Sequence, residues 1–382
     1  MTSITSIQSL ILDLPPSCIE FCPTSREYFV VGTYFLEKKE QDVDVENDAG
    51  DEDETNGDAD KKPQTRTGSL ILFKIEGDEV KQISTTPTPY AILDIHFSPH
   101  DPTLLAVAAS TGAVQLFRFS ASTTSLEPLS TYQFFSPEIL VLSLAWHPTS
   151  PIILGVTTSS GGVYTEDISV QEAEAQDTGK EILVHELEAW TLAFSHTGKE
   201  VYSGGDDATF RFSTLPNMNS SSASASEEEE EDFLPTQWQD RRAHNAGVTA
   251  ILPLAHEDNI LITGSYDDNI RILSCPQIGR KQVLAEENLE GGVWRLKFLT
   301  SSPEDGKNIV LASCMHAGTR IVAVTKDEGG EWSIEVLARF EEHKSMNYGS
   351  DVQPGTAEGG QQTIISTSFY DKLLCLWRFE LP

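Results

Sequence analysis

Along this chain, short apolar runs alternate with polar, turn-forming clusters, and the alternation repeats. The clearest unit runs from His244 to Leu273, HNAGVTAILPLAHEDNILITGSYDDNIRIL. Its apolar runs VTAIL and ILIT and its alternating stretch NIRIL are separated by turn-forming residues. Short runs spaced in this way predict an antiparallel meander of strands. A unit this small cannot bury both faces alone, so copies must stack on one another.

Aligning on Asp267 finds the same frame at Thr67, Thr111, Ser160, Asp207, His316 and Asp371, at spacings of 44 to 60 residues. That is the period of a four-stranded propeller blade with loop variation. In three units a histidine (His185, His244, His343) precedes the first strand, and Ser203, Thr263 or Thr367 lies four residues before the aspartate (Asp207, Asp267, Asp371). These positions resemble the WD-repeat family. The resemblance implies that the histidine, hydroxyl and aspartate form a hydrogen-bonded network, with Trp377 the one retained repeat tryptophan. Such a network is stable when every member is satisfied. The last unit lacks a fourth strand, and the N-terminal stretch Ile4–Leu14 is its natural donor, which would remove the open edges. The expected fold is all-β: a single seven-bladed WD40-type β-propeller over residues 1–382, closed by the N-terminal strand.

Composition narrows the picture. No apolar run approaches the length of a membrane span, and Leu10–Leu14 is too short and too poor in bases for a signal peptide. Five cysteines without framework spacing (18, 22, 275, 314, 375) suit reduced, buried thiols in the cytoplasm. Two acid-rich stretches carry much of the net charge of −33. Residues 37–62 are expected as a disordered insertion in blade 1, and 217–237, with its acidic run Glu227–Asp232, as another between blades 4 and 5. A chain this acidic repels a phosphate backbone, so neither nucleic acid nor membrane is an expected partner, and a monomer is expected.

The usual catalytic signatures are missing. There is no Gly-x-Ser-x-Gly elbow, no phosphate-binding loop and no dinucleotide fingerprint. His185–Glu188 begins like a zinc-protease motif, but Ala189 stands where the second histidine belongs; His96 and His100 fall on a strand and the turn after it. No metal site and no cofactor is expected. Propeller geometry instead aims two positions per blade at the mouth of the channel, the second residue of the first strand and the residue before the aspartate. In blades 4 to 7 these positions hold Trp190, Trp294, Tyr348, Tyr266 and Tyr370, in a chain that is 8% aromatic. Asp206 occupies another, with Glu188 and Arg295 close by in sequence. Aromatic faces beside carboxylates suit a quaternary ammonium ligand. Packing between blades, or a docking patch with no chemistry, is the competing account. His316, off-pattern beside Cys314 and Met315, is a further candidate.

Taken in order, Gly32-Thr33-Tyr34, Ala91–Asp94, HELEAW (185–190), SGGDD (203–207), GSYDDNIR (264–271), GGVWR (291–295), Cys314-Met315-His316 and His343 through Asp351 resemble the diphthine methylesterase family, called diphthine methyltransferase in older naming. The resemblance covers all seven units and fails only in the acidic insertions. It implies hydrolysis of the methyl ester of methylated diphthine, a modified histidine on translation elongation factor 2, before the final amidation of diphthamide biosynthesis. That substrate carries a trimethylammonium group, which fits the aromatic positions. The reading that follows makes Asp206 the general base, with Glu188 and His316 behind it. Trp190, Tyr266, Trp294 and Tyr348 hold the cation, Tyr370 is a further substrate-binding residue, and Arg295 or a backbone N–H stabilises the oxyanion. Covalent catalysis by Ser345 or Cys314 is the mechanistic alternative. A non-enzymatic scaffold that binds a peptide or protein on the same rim is the functional one.

Overall fold

The computed structural model describes residues 2–37, 65–169, 179–216, 233–255, 257, 259–302, 306–355 and 360–382. The described residues form strands and turns with no helix. Among the described residues seven sheets follow one another along the chain, antiparallel except for one N-terminal strand. Their first strands are Pro16–Phe21, Ile92–Phe97, Val141–Trp146, Ala189–Phe194, Val248–Pro253, Arg295–Ser302 and Gly349–Val352. Each packs beside the first strand of the next sheet, and the seventh packs beside the first. The sheets are therefore the blades of a closed seven-bladed propeller, as the repeat predicts.

Burial follows the ring. Seven apolar clusters each join two neighbouring blades, and one, with Phe29, Phe73, Ile365 and Leu376, spans the junction of blade 7 with blade 1. Among the described residues no blade has a core of its own, which is the physical content of the stacking argument.

The N-terminus closes the ring less simply than the sequence suggests. Gln8–Ile11 pairs antiparallel with Leu373–Glu380 and completes blade 7. Thr2–Ile4 instead pairs in parallel with Trp332–Phe340, as a fifth strand of blade 6. Ile4, expected in the closing strand, thus belongs to the neighbouring blade. One segment staples two blades, and both of their outer edges are covered.

The first acidic stretch, 37–62, lies outside the described residues except for Glu37, between Phe35–Leu36 and Arg66–Glu76 of blade 1. The second is displaced from its expected position. Gln237–Asp240 is the outer strand of blade 4, paired with Phe210–Thr214, so the stretch falls within blade 4 and not between blades 4 and 5. Its residues 217–232 lie outside the described part.

The histidine networks hold to different degrees. In blade 4, His185 meets Asp207 at 2.9 Å and Ser203 at 2.8 Å. Burial opposes ionisation of Asp207, but the imidazole and two backbone N–H groups hold its carboxyl well below the usual range. In blade 5, His244 keeps Thr263 at 2.9 Å, while Asp267 turns to Arg271 at 2.9 and 2.8 Å. In blade 7, His343 bonds Ser366 at 2.7 Å and not Thr367, whose hydroxyl donates to the Gly349 carbonyl. The turn of blade 7, Phe369-Tyr370-Asp371, shifts the register by one residue, which counting back from Asp371 could not detect. Burial lowers both His244 and His343 to about 4, so they are neutral imidazoles.

Candidate active site at the channel mouth

Two local features of each blade build the mouth. In blades 1 to 5 the first strand carries a bulge against its neighbour, and the extra residue is Ser17, Leu93, Leu142, Trp190 or Thr249. A bulge leaves one residue outside the ladder and re-aims its side chain. Trp294 and Tyr348 occupy the corresponding place immediately before their strands. The second feature is the hairpin turn after the second strand. The residue following the anchor has positive φ in five blades, at Gly112, Gly161, Ala208, Asp268 and Lys372. This turn holds Asp206 and Tyr266, each directly after its second strand, at equivalent places on the rim, with their N–H groups donating to the Glu188 and Gly247 carbonyls. In blade 7 the longer turn gives that place to Phe369, whose N–H donates to the Met346 carbonyl, and not to Tyr370.

The small residues of the mouth are used structurally. Ser17 donates to the Ile92 carbonyl at 2.6 Å, and Thr249 to that of Val293 at 2.5 Å, so each ties its blade to the next. The large ones touch one another. Trp190 and Trp294 have centroids 5.5 Å apart; Tyr266 lies 6.4 Å from Trp190 and 5.8 Å from Trp294; Trp294 and Tyr348 are 5.0 Å apart. The string continues through Phe369, 5.6 Å from Tyr348, to Tyr34 of blade 1 at 6.1 Å and to Tyr370 at 5.1 Å. Arg66 donates to the Tyr34 hydroxyl at 2.9 Å. Phe369 and Tyr34 fall outside the position count, because Phe369 comes from the lengthened turn of blade 7. Tyr34, directly after the second strand of blade 1, was visible as part of Gly32-Thr33-Tyr34 but had no assigned role. Tyr370 is 68% exposed, and its ring contact is with Phe369, away from the tryptophans.

The carboxylates sit at the tryptophan end. The indole Nε1 of Trp190 donates to Asp206 Oδ1 at 3.0 Å, and the Asp206 N–H donates to the Glu188 carbonyl at 2.8 Å. Burial pushes the pKa of the Tyr266 hydroxyl up, and the charges of Tyr348, Asp206 and Glu188 push it further. No described Lys or Arg forms an ion pair with Asp206 or Glu188. Asp206 is exposed to solvent in the mouth.

The remaining candidates lie elsewhere. Arg295 turns down the channel and meets Asp94 of blade 2 at 2.8 Å. There it joins a ladder of paired charges. His96 lies 3.4 Å from Asp94 and 3.1 Å from Glu20, and Lys297 lies 2.7 Å from Asp351 and 3.8 Å from Glu20. Burial would lower the His96 pKa, but Asp94 and Glu20 raise it to about 9, so it is a cation at neutral pH. Three carboxylates thus face three cations. His316 is exposed at the register position of the blade aspartates, and no hydrogen bond or ring contact with a described residue links it to the string. Ser345 donates to Asp371 at 2.6 Å and accepts the Tyr370 N–H, so its hydroxyl is a turn brace. Cys314 is fully buried, and burial pushes its thiol up to about 12. A buried, protonated thiol is a poor nucleophile, so the structure supports neither covalent alternative.

Comparison with known proteins agrees with this architecture. The family model "WD domain, G-beta repeat" matches residues 237–274. The chain is similar over 100% of its length to a chain in a crystal structure of a mitotic checkpoint complex, with a TM-score of 0.64, 15% identity and 94% of that chain covered. At that identity the likeness shows the fold alone. A protein of Schizosaccharomyces pombe named diphthine methyltransferase is 31% identical over 96% of this chain and 95% of its own length. The Saccharomyces cerevisiae protein of the same name is 27% identical over 95% of each, and the human one is 29% identical over 92% of this chain and 75% of its own length. With that identity sustained across all seven blades, the chain belongs to the diphthine methyltransferase family of WD-repeat propellers.

Proposed function

We propose that this chain hydrolyses a carboxylic methyl ester that stands beside a quaternary ammonium, namely the methylated diphthine on elongation factor 2. Membership of a family named for diphthine supports a methyl-modifying role in diphthamide biosynthesis. The observation that carries the finer reading is Asp206, bound by the Trp190 indole and without a cationic partner among the described residues, beside the contacting rings of Trp190, Tyr266 and Trp294. Carboxylates left without a counter-ion beside aromatic faces attract a cation that cannot donate hydrogen bonds.

In this reading the trimethylammonium rests against Trp190, Trp294 and Tyr266, and the ester lies above Asp206. The quaternary nitrogen withdraws electrons from the carbonyl, so a positioned water and a general base suffice. Asp206 suits the base: one oxygen is fixed by the Trp190 indole, and the residue is exposed to solvent. The chain acts as a cytoplasmic monomer, with the elongation factor as its protein substrate.

A sulfonium methyl donor is also a cation that such a cage could hold, so the direction of the reaction needs a direct test. Purified protein is incubated with the methylated elongation factor, no methyl donor added, and the modified peptide is weighed by mass spectrometry. Loss of one methyl ester, absent with heat-inactivated protein, supports the esterase. An unchanged mass with the factor retained on the protein would make the rim a scaffold's docking face, a role that the exposed Tyr370 would suit.

A further inference from the structure

Tyr266 is flanked closely on both edges of its ring. Its backbone N–H donates to the Gly247 carbonyl at 2.9 Å. A Cβ on Gly247 would stand 2.8 Å from Cδ2 of Tyr266 and 3.0 Å from Oδ1 of Asp206. On the other edge, a Cβ on Gly292 would meet Met315 Sδ at 2.7 Å and Cδ1 of Tyr266 at 3.4 Å. Neither glycine has the left-handed φ that favours this residue, so what each provides is space. Two residues without side chains therefore flank one ring, and the first also lets the Asp206 carboxylate come up beside it.

The hydroxyl at the end of that ring has no hydrogen-bond partner among the described residues. Burial, with the neighbouring Tyr348, Asp206 and Glu188, keeps the phenol protonated. The two carboxylates can only accept hydrogen bonds. Arg295, which the sequence offered as an oxyanion partner, is held by Asp94 inside the channel. The mouth thus contains an unengaged neutral donor beside the carboxylate assigned as base.

We propose that Tyr266 is a catalytic residue whose hydroxyl donates a hydrogen bond to the ester carbonyl oxygen as negative charge develops there, with Gly247 and Gly292 as positioning residues. This rests on the esterase reading above. The water oxygen bonds to the carbonyl carbon, one of its protons passes to Asp206, and the carbonyl π pair moves onto the oxygen facing Tyr266. On collapse the bond from carbon to the methoxy oxygen breaks, and the departing methoxide takes the proton from Asp206. Methanol leaves, and the product acid ionises to its carboxylate. A neutral donor serves here better than a cation, because a positive charge at this place would repel the substrate ammonium.

The test is Tyr266→Phe in the full chain, assayed on the methylated elongation factor and on a trimethylammonium amino-acid methyl ester. Phenylalanine keeps the ring and removes the donor. The expected result is a fall in kcat of about 100- to 1000-fold, typical for loss of one oxyanion donor, with KM close to wild type. Gly247→Ala should also lower kcat, since its Cβ displaces both Asp206 and Tyr266. Fluorotyrosine at position 266 leaves the fold unchanged and makes the phenol more acidic, so kcat should move with its acidity. Wild-type kcat in Tyr266→Phe, or a raised KM alone, would overturn the proposal and leave Tyr266 a wall of the cation site. A wild-type chain inert toward both substrates would remove the esterase reading itself, a distinguishable failure.

Discussion

The channel of this propeller contains two polar regions a few residues apart, and they are built on opposite principles. In the interior, Asp94, Glu20 and Asp351 face Arg295, His96 and Lys297, so every charge has a partner. At the mouth, Asp206 is bound by the Trp190 indole, and neither it nor Glu188 has a cationic partner among the described residues. A buried charge is tolerated when paired, and its pairing leaves little affinity for anything else. Unpaired carboxylates against ring faces are the reverse, a site that waits for a charge from outside. The difference separates residues that hold the blades together from residues offered to a ligand.

Replacing Asp206 tests the mouth most severely. Asp206→Asn keeps the Trp190 bond and removes the base, so kcat should fall by about 100- to 10,000-fold with the melting temperature unchanged. Full activity in steady-state assays would take Asp206 out of the chemistry. The interior should answer with stability instead. Asp94→Ala leaves Arg295 and His96 without their shared carboxylate, which should cost about 3 kcal/mol in denaturant unfolding. An equal loss of activity at unchanged stability would erase the distinction between the regions.

Smaller effects sharpen it further. Trp294→Leu removes one cation-facing ring, and KM should rise about tenfold, the scale of one desolvated cation–π contact, with kcat nearly preserved. The pH response should likewise belong to the interior. His96 binds its proton more tightly in the folded chain than unfolded, so its ion pairs contribute fully below about 6.5 and fade as pH rises through about 9. The denaturation midpoint should therefore decline across that window in the wild type and stay flatter in His96→Gln.

Much of this was legible in the chain because it is local. The bulge that turns Trp190 into the channel and the turn that presents Asp206 and Tyr266 are each set within a few residues, so counting from the anchor finds them. Counting failed where local geometry departs from the repeat. The longer turn of blade 7 moves the histidine's partner from Thr367 to Ser366 and brings Phe369 into the aromatic string. Glu166 stands, buried, where blade 7 has Trp377, and burial pushes its carboxyl up to about 8. The anchor count places Glu166 at that position, six residues after Ser160, but does not show its burial.

The sequence by itself determined seven blades, a ring closed by its N-terminus, and an aromatic rim confined to one side, since apolar period and turn chemistry are properties of neighbouring residues. Only the tertiary structure decided which polar residues remain available. Arg295 lies next to Trp294 in the chain, yet its guanidinium belongs to Asp94, 201 residues away across the channel. Ser345 and Cys314 are removed from the chemistry by a turn and by burial. Thr2–Ile4 extends blade 6 while Gln8–Ile11 completes blade 7. Each of these depends on which groups meet when the ring closes. The partner that neutralises a charge or pairs with an edge comes from a distant stretch of chain, and no periodicity encodes that meeting.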